Sequence, residues 1–207
     1  MAHGNDFVRS ISRYKSLRKI INLSVKKQSS KCDVMLVNKK HYCINILSVG
    51  FDSLVGKNVD KFRWIPFVSG SFKYNLSIFY TLLQNKNFKL KIKLDNLQIY
   101  KGLFTLAAIS NGKYYGGGIC PSDDAVTNDG FLNTCIIDKT SVLTKLKLLP
   151  KYKKGMHTNF DIAHFEKCSD IKIVGTELFP ISLDGEIIYS NKLHCKILKD
   201  KINIIYI

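Results

Sequence analysis

The sequence has 207 residues, of which 45% are hydrophobic, and it carries a formal net charge of +16. A chain of this length can bury a substantial core without cross-links, which excludes a small disulfide-stapled scaffold. Its six cysteines are scattered without a CxxC pair, so we expect reduced core cysteines in a cytosolic protein. The start shows no apolar signal-peptide core, and nowhere do about 18 uncharged apolar residues follow one another. The sequence therefore predicts neither export nor a membrane-spanning helix.

The excess of positive charge fits three kinds of partner: nucleic acid, anionic lipid headgroups or a polyphosphate. Only four of the 32 basic residues are arginine, whereas nucleic-acid readers favour arginine and place aromatic rings among their basic groups. Biased codon usage in a chain rich in lysine, asparagine and isoleucine would explain the charge equally well. We therefore expect no nucleic acid as a partner and retain an anionic membrane surface.

The first predicted element is an amphipathic helix that begins near Phe7. Apolar residues recur at helical spacing as far as Ile21, basic residues occupy the remaining face, and Asn5 or Asp6 would cap the helix. Such a helix either lies on an anionic membrane surface or packs normally and exposes its basic face to solvent. The polar run at 26–31 then marks a domain boundary.

After this boundary, short segments that alternate apolar and polar residues predict antiparallel strands. The last two, KLHCKIL and KINIIYI, form a closing pair around residues 199–201. Helices are predicted at 71–84 and at 140–150, the second capped by Thr140 or Ser141 and stopped by Pro150. Because no βαβ unit repeats, the body should be mainly β, an antiparallel β-sandwich or barrel with one or two inserted helices.

The densest group of glycines and oxygen ligands lies between residues 111 and 133. Three consecutive glycines at 116–118 would let the backbone approach a ligand closely. Four side chains nearby offer hard oxygens to Mg²⁺ or Ca²⁺, namely Asp123, Asp124, Asn128 and Asp129. The spacing is not that of an EF-hand, and neither a Walker A loop nor GxGxxG occurs in the chain. A plain glycine-rich loop is the alternative interpretation.

The segment SLDGE at 182–186 is the second candidate site. Asp-Gly is typical of a tight hairpin turn, so the simplest interpretation is a turn with exposed carboxylates. A glutamate directly after such a turn, at the end of an apolar strand, is also held rigidly, and Glu186 could serve as a general base in a cleft. The five histidines show no metal-ligand spacing and GxSxG is absent, so zinc and serine-hydrolase chemistry have little support.

Five segments, read in order, resemble the bacterial diacylglycerol kinases and the sphingosine-kinase-like lipid kinases. They are GNDFVRS near the start, SVGFDS at 48–53, the block at 108–137, LLPKYKKGMH at 148–157 and SLDGE at 182–186. The resemblance covers essentially the whole chain and implies a two-domain enzyme, in which an α/β domain binds ATP and a C-terminal antiparallel β-sandwich helps to hold the lipid. It implies that residues 1–30 are a remnant of the nucleotide domain, a loop and its final helix, and that residues 31–207 form the sandwich.

The resemblance also implies roles for individual residues. Glu186 would be the base acting on the lipid hydroxyl, while Asp6 would lie near the Mg·ATP phosphates with Asn5 supporting the loop. A structural Mg²⁺ would be bound by Asp129 and by two main-chain carbonyls, those of Val126 and Phe131.

The chain departs from the family at its beginning. Ala2 and His3 stand where the family has a Gly-Thr lead, and the glycine-rich ATP loop is absent. We therefore expect this chain to be inactive without the missing nucleotide-binding domain. An apolar surface around residues 7–25, where that domain would pack, predicts self-association.

The implied protein is cytoplasmic, peripheral at the membrane, and acts on a lipid substrate. The alternative is a non-catalytic lipid- or anion-binding β-sandwich.

Overall fold

The computed structural model describes residues 4–12, 17–25, 28–95 and 97–206, without the side chains of Asn5, Leu17 and Ser71. Two short helices come first, α1 (Gly4–Ile11) and α2 (Leu17–Ser24). Because α1 already begins at Gly4, Asp6 lies inside its first turn, and the predicted capping role of Asn5 or Asp6 is wrong. On α2 and just after it, the side chains of Ile21 and Val25 are exposed.

Nine strands within the described residues form one antiparallel sheet that folds into a sandwich. They are β1 (Ser30–Val37), β2 (His41–Cys43), β3 (Ile46–Gly50), β4 (Phe88–Leu94), β5 (Gln98–Ser110), β6 (Leu132–Asp138), β7 (Ala163–Cys168), β8 (Asp170–Leu183) and β9 (Glu186–Ile204). Their order is β2-β1-β9-β8-β3-β5-β6-β7, and β4 pairs with β5 and β8. The predicted fold class, mainly β with an antiparallel sandwich and inserted helices, is confirmed.

Strands β3 and β4 lie end to end between the same two neighbours. The first half of β5 pairs with β4 and the second half with β3. The long strand β8 is divided in the same way, with a register irregularity between Val174 and Phe179. The chain between β3 and β4 is therefore free to form helices outside the sheet.

Three further α-helices follow among the described residues, α3 (Phe51–Val59), α4 (Gly70–Gln84) and α5 (Val142–Lys153), and a short 3-10 helix (Asp60–Phe62) continues α3. The predicted helices at 71–84 and 140–150 correspond to α4 and α5, and the Ser141 hydroxyl caps α5 by accepting the amide of Thr144. Pro150 lies inside α5 rather than ending it, because the helix continues for one further turn to Lys153. The sequence analysis missed α3, which begins directly after the buried strand β3.

The helices give the sheet a second hydrophobic core. One cluster fills the sandwich interior, and the other packs α3, α4 and α5 against the outward side of β5 and β6. All six cysteines are buried and unpaired, as the sequence predicted. In the described part of the chain, no helix combines the length and hydrophobicity that crossing a bilayer requires.

The predicted closing pair of strands is wrong, because β9 is one continuous strand. Its partner changes along its length, from β8 near Glu186 to β1 near Ile204. At Asp200 the backbone takes a positive φ of 55°, and the Asp200 amide leaves the ladder to donate to the Asp33 carboxylate. Asn and Asp tolerate this left-handed region better than other side chains do, which explains a local irregularity without a reversal of the chain.

Candidate active site

The turn between β8 and β9 is held by the side chain of Asp184. Its carboxylate accepts the main-chain amides of Ile44, Asn45 and Ile46 at 2.7 to 3.0 Å. Asp184 and Gly185 both have positive φ, which is the backbone of a tight two-residue hairpin turn. The acidic residue of this turn is therefore a structural anchor, a role that the expectation of exposed carboxylates did not include.

Glu186 follows this anchored turn and begins β9, opposite Leu183. Its side chain is exposed, and among the described residues it has no ion pair within 4 Å. It lines an open concavity of about 370 Å³ together with Lys40, His41 and Tyr42. A carboxylate held on a rigid turn and left free to accept a proton is what a general base requires.

The glycine-rich loop packs against α1 on one side. Asp6 accepts the amide of Gly117 at 2.7 Å, and the Ser10 hydroxyl accepts the amide of Lys113 at 2.9 Å. Gly118 has a φ of 104°, and a Cβ there would approach the Arg9 guanidinium to 2.3 Å. The positive φ favours glycine at this position, whereas the end of the flexible Arg9 side chain can move away from a Cβ. The side chain of Asn5 lies outside the described residues.

A buried polar network joins the two candidate segments. The Asn45 side chain donates to the carbonyl of Tyr114 at 2.8 Å, while its main-chain amide donates to Asp184. The Asn111 side chain donates to the carbonyls of Ile44 and Asp33 at 2.7 and 3.0 Å. The turn that carries Glu186 and the loop that contacts Asp6 are thus parts of one framework. The sequence analysis named neither Asn45 nor Asn111.

The acidic part of the loop, which contains Asp129, is organised by Asp33. This fully buried carboxylate accepts the amides of Gly130 and Asp200 at 2.7 and 2.8 Å. The Asp33 amide donates to the carbonyl of Thr127 at 2.8 Å. Charge-assisted bonds of this kind are among the stronger hydrogen bonds in proteins, so they fix the loop on both sides of Asp129.

Asp129 itself is partly accessible. One carboxylate oxygen accepts the amide of Phe131 at 3.0 Å, and the other lies 3.7 Å from the Lys167 ammonium. Val126 and Phe131, on either side of Asp129, have exposed side chains. No group of three or more histidine, cysteine, aspartate or glutamate side chains within the described ranges could hold a metal ion. One carboxylate with nearby main-chain carbonyls and water is still a hard-oxygen donor set that suits Mg²⁺.

A further carboxylate, Asp52, lies in the first turn of α3. It accepts the hydroxyls of Tyr115 and Tyr152, the latter at 3.0 Å. Loss of water around the carboxylate raises the pKa of Asp52 to about 6, although both hydrogen bonds act in the opposite direction. The sequence analysis quoted the segment SVGFDS but assigned no role to Asp52. Its contact with Tyr115 of the glycine-rich loop depends on the position of α3, which the sequence analysis missed.

The sequence of this chain is similar to those of known proteins. Residues 45–206 match the family described as the YegS C-terminal NAD kinase beta sandwich-like domain. The chain belongs to this family. It is 29% identical over 152 residues to a diacylglycerol kinase of Mycobacterium tuberculosis, covering 69% of this chain and 47% of the relative. It is 25% identical over 199 residues to a diacylglycerol kinase of Staphylococcus carnosus, covering 95% of this chain and 62% of the relative.

Solved structures show the same fold. A crystal structure of a diacylglycerol kinase from Bacillus anthracis matches with a TM-score of 0.68 at 19% identity, covering 97% of this chain and 62% of the other. The predicted resemblance to bacterial diacylglycerol kinases is therefore confirmed at the level of the family. The chain spans less than two thirds of the length of the relatives that it matches.

Proposed function

We propose that this chain is the C-terminal part of an ATP-dependent kinase that phosphorylates a hydroxyl of a diacylglycerol-like lipid. The observation that carries the proposal is the anchored turn at Asp184, which presents the unpaired carboxylate of Glu186 to an open concavity. A family whose relatives are named diacylglycerol kinases supports the reaction class. The alternative of a non-catalytic lipid-binding sandwich has no comparable observation in its favour.

In the proposed reaction, the Glu186 carboxylate takes the proton of the lipid hydroxyl. The freed oxygen attacks the γ-phosphorus of ATP, the new P–O bond forms, and the bond to the β-phosphate oxygen breaks to release ADP. The nucleotide would be supplied by a separate ATP-binding domain. We place Asp6 near the Mg·ATP phosphates with Asn5 beside it. The hydrogen bond from Gly117 to Asp6 supports a position at the loop that would face the nucleotide.

We further propose that Asp129, with the carbonyls of Val126 and Phe131, holds a structural Mg²⁺. Asp33 already holds this loop at Thr127 and at Gly130, and such an ion would also hold it at Asp129. Its contribution would be positional, because it would steady the segment that follows the glycine-rich loop rather than act on the lipid. The nearby Lys167 ammonium would compete with the ion for the Asp129 carboxylate.

The reaction is tested by phosphate transfer from labelled ATP into mixed micelles of diacylglycerol, with and without a separately produced nucleotide domain. We expect label in the lipid only when both parts are present, and a loss of roughly a hundredfold or more in Glu186→Gln, which cannot accept the proton. Glu177→Gln is the matched control, since Glu177 is an exposed glutamate at the irregular part of β8. Equal transfer by the Glu186 variant and the wild type would exclude this residue as the base.

A further inference from the structure

An exposed apolar loop precedes α4. It has the sequence Trp64-Ile65-Pro66-Phe67-Val68, and in it Trp64 is 78% exposed and Phe67 is fully exposed. Phe67 has a positive φ of 57°, a conformation that bulky residues seldom adopt. Three more exposed apolar side chains continue along α4, namely Phe72, Phe79 and Leu83. We call the loop and these three residues the α4 apolar surface.

The α4 apolar surface lies in a strongly basic segment of the chain. Between residues 57 and 86 there are five basic residues and one acidic residue. The basic ones are Lys57, Lys61, Arg63, Lys73 and Lys86, and the acidic one is Asp60. The Lys73 ammonium donates to the carbonyl of Arg63 at 3.0 Å, which ties the loop to the first turn of α4. Apolar side chains and cations therefore alternate along one segment of the chain, and in the loop before α4 they are direct neighbours.

Helix α4, which carries part of this surface, also contacts the glycine-rich loop of the candidate site. Two residues after Phe72, the Tyr74 hydroxyl comes so close to Gly116 that a Cβ there would lie 2.9 Å away. The next glycine, Gly117, donates to Asp6. Helices α4 and α1 thus contact the same glycine-rich loop. A partner that covered the α4 apolar surface would therefore bind the helix whose Tyr74 contacts the loop that we propose to face the nucleotide.

We propose that the α4 apolar surface docks on an anionic phospholipid bilayer, with Trp64 and Phe67 entering the interfacial region. This inference rests on the proposed function, since it supplies the route from the membrane to the site. Tryptophan and phenylalanine beside lysine and arginine are the composition of membrane-surface anchors. A fully exposed, protruding side chain suits a fluid bilayer better than a protein partner, whose surface would need a matching pocket. The positive charge complements anionic headgroups.

The chain offers a direct probe, because Trp64 is its only tryptophan. The fluorescence of the full chain is recorded with vesicles of phosphatidylcholine alone and with vesicles that also contain phosphatidylglycerol. We expect a blue shift of the Trp64 emission with the anionic vesicles, quenching by lipids brominated on their acyl chains, and weakening of both by salt. An unchanged emission spectrum at saturating anionic lipid would overturn the proposal.

Phe67→Ser tests the apolar part of the surface. We expect roughly tenfold weaker binding to anionic vesicles, the effect of losing one buried phenylalanine ring. Leu97→Ser is the matched control, since Leu97 is an equally exposed apolar residue in the turn between β4 and β5. If both variants lose vesicle affinity equally and unfold at the same temperature as the wild type, the α4 apolar surface is not the docking surface, and the proposal is overturned. A nucleotide domain that shifts the Trp64 emission without vesicles would also overturn the proposal.

The outcome is separable from that of the proposed function. Vesicle binding and Trp64 emission are measured without ATP, so they report on the docking surface even if no phosphate is transferred. Conversely, transfer to a short-chain diacylglycerol below its aggregation limit should be the same in Phe67→Ser and the wild type, because that substrate needs no bilayer. Loss of transfer to both substrates would place Phe67 in the active site and contradict a docking role.

Discussion

The Asp6 carboxylate accepts the main-chain amide of Gly117 at 2.7 Å, although 111 residues separate the two in the sequence. This bond joins α1, which precedes the sandwich, to the glycine-rich loop of the sandwich. Arg9 strengthens the junction, because its guanidinium lies 3.6 Å from the Asp6 carboxylate and 4.6 Å above the Tyr114 ring. Residues 4–11 are thus anchored to the glycine-rich loop.

Replacing Asp6 by alanine should loosen this junction. The amide of Gly117 would lose its acceptor in a partly buried position, which costs about 1–3 kcal/mol. Hydrogen exchange at Gly117 and Lys113 should become faster, while exchange in β8 and β9 should not change. Asp60→Ala serves as the control, because its ion pair with Arg63 is exposed and contributes little. Unaltered exchange at Gly117 in the Asp6 variant would contradict this account.

Asp184→Ala should be more damaging than removal of an ordinary surface carboxylate. Three main-chain amides, those of Ile44, Asn45 and Ile46, would lose their common acceptor. We expect the free energy of unfolding to fall by about 2–4 kcal/mol, measured by urea denaturation. Asp161→Ala, at an exposed position, should change it by less than about 0.5 kcal/mol. Similar losses in the two variants would mean that the turn is held by its backbone alone.

Asp52 should make stability depend on pH. Its pKa is about 6 in the folded protein against an ordinary value of 3.8, so the folded state favours the protonated acid. The stabilisation is complete below about pH 4 and is lost as the pH rises to about 6, by about 1–3 kcal/mol in total. Asp52→Asn keeps an acceptor for the tyrosines but does not titrate. The stability of the wild type relative to this variant should therefore decline between pH 4 and 6.5, and a constant difference would refute the assignment.

The proposed Mg²⁺ site makes a prediction about ion competition. Millimolar Mg²⁺ should raise the melting temperature of the wild type and leave Asp129→Asn unchanged. Lys167→Met should bind Mg²⁺ more tightly, because it removes the ammonium that lies 3.7 Å from both Asp124 and Asp129. Differential scanning fluorimetry with Mg²⁺ or a chelator measures both effects. Equal responses of the wild type and Asp129→Asn would rule out this carboxylate as a ligand.

Much of the fold followed from local patterns in the sequence. The alternation of Lys89, Leu90 and Lys91 predicts a half-buried strand, and β4 has that burial pattern. Ser141 followed by an apolar run predicts a capped helix, which α5 is. Such signals are read over a few neighbouring residues, so tertiary packing seldom reverses them.

Features that depend on distant partners were not predictable in this way. Helix α3 was missed, because the chain leaves strand β3 only through the positive φ of Gly50, which lies close against the Thr105 carbonyl. Asp33 and Asn111 showed no local signal, since each acts on backbone groups far away in sequence. Glu186 could be named as a candidate because its turn is a local signal, whereas the anchor of that turn, Asp184, acts on residues 44–46.

The position of β9 in the sheet bears on how the protein folds during synthesis. Among the nine described strands, β9 comes last in chain order, yet it lies between β1, which comes first, and β8. A nascent chain that has not yet released residues 186–204 from the ribosome therefore exposes two unpaired edges, which are prone to aggregation. Chaperone demand should be concentrated in that interval, and early stop codons within β9 should yield insoluble products rather than shortened but folded ones.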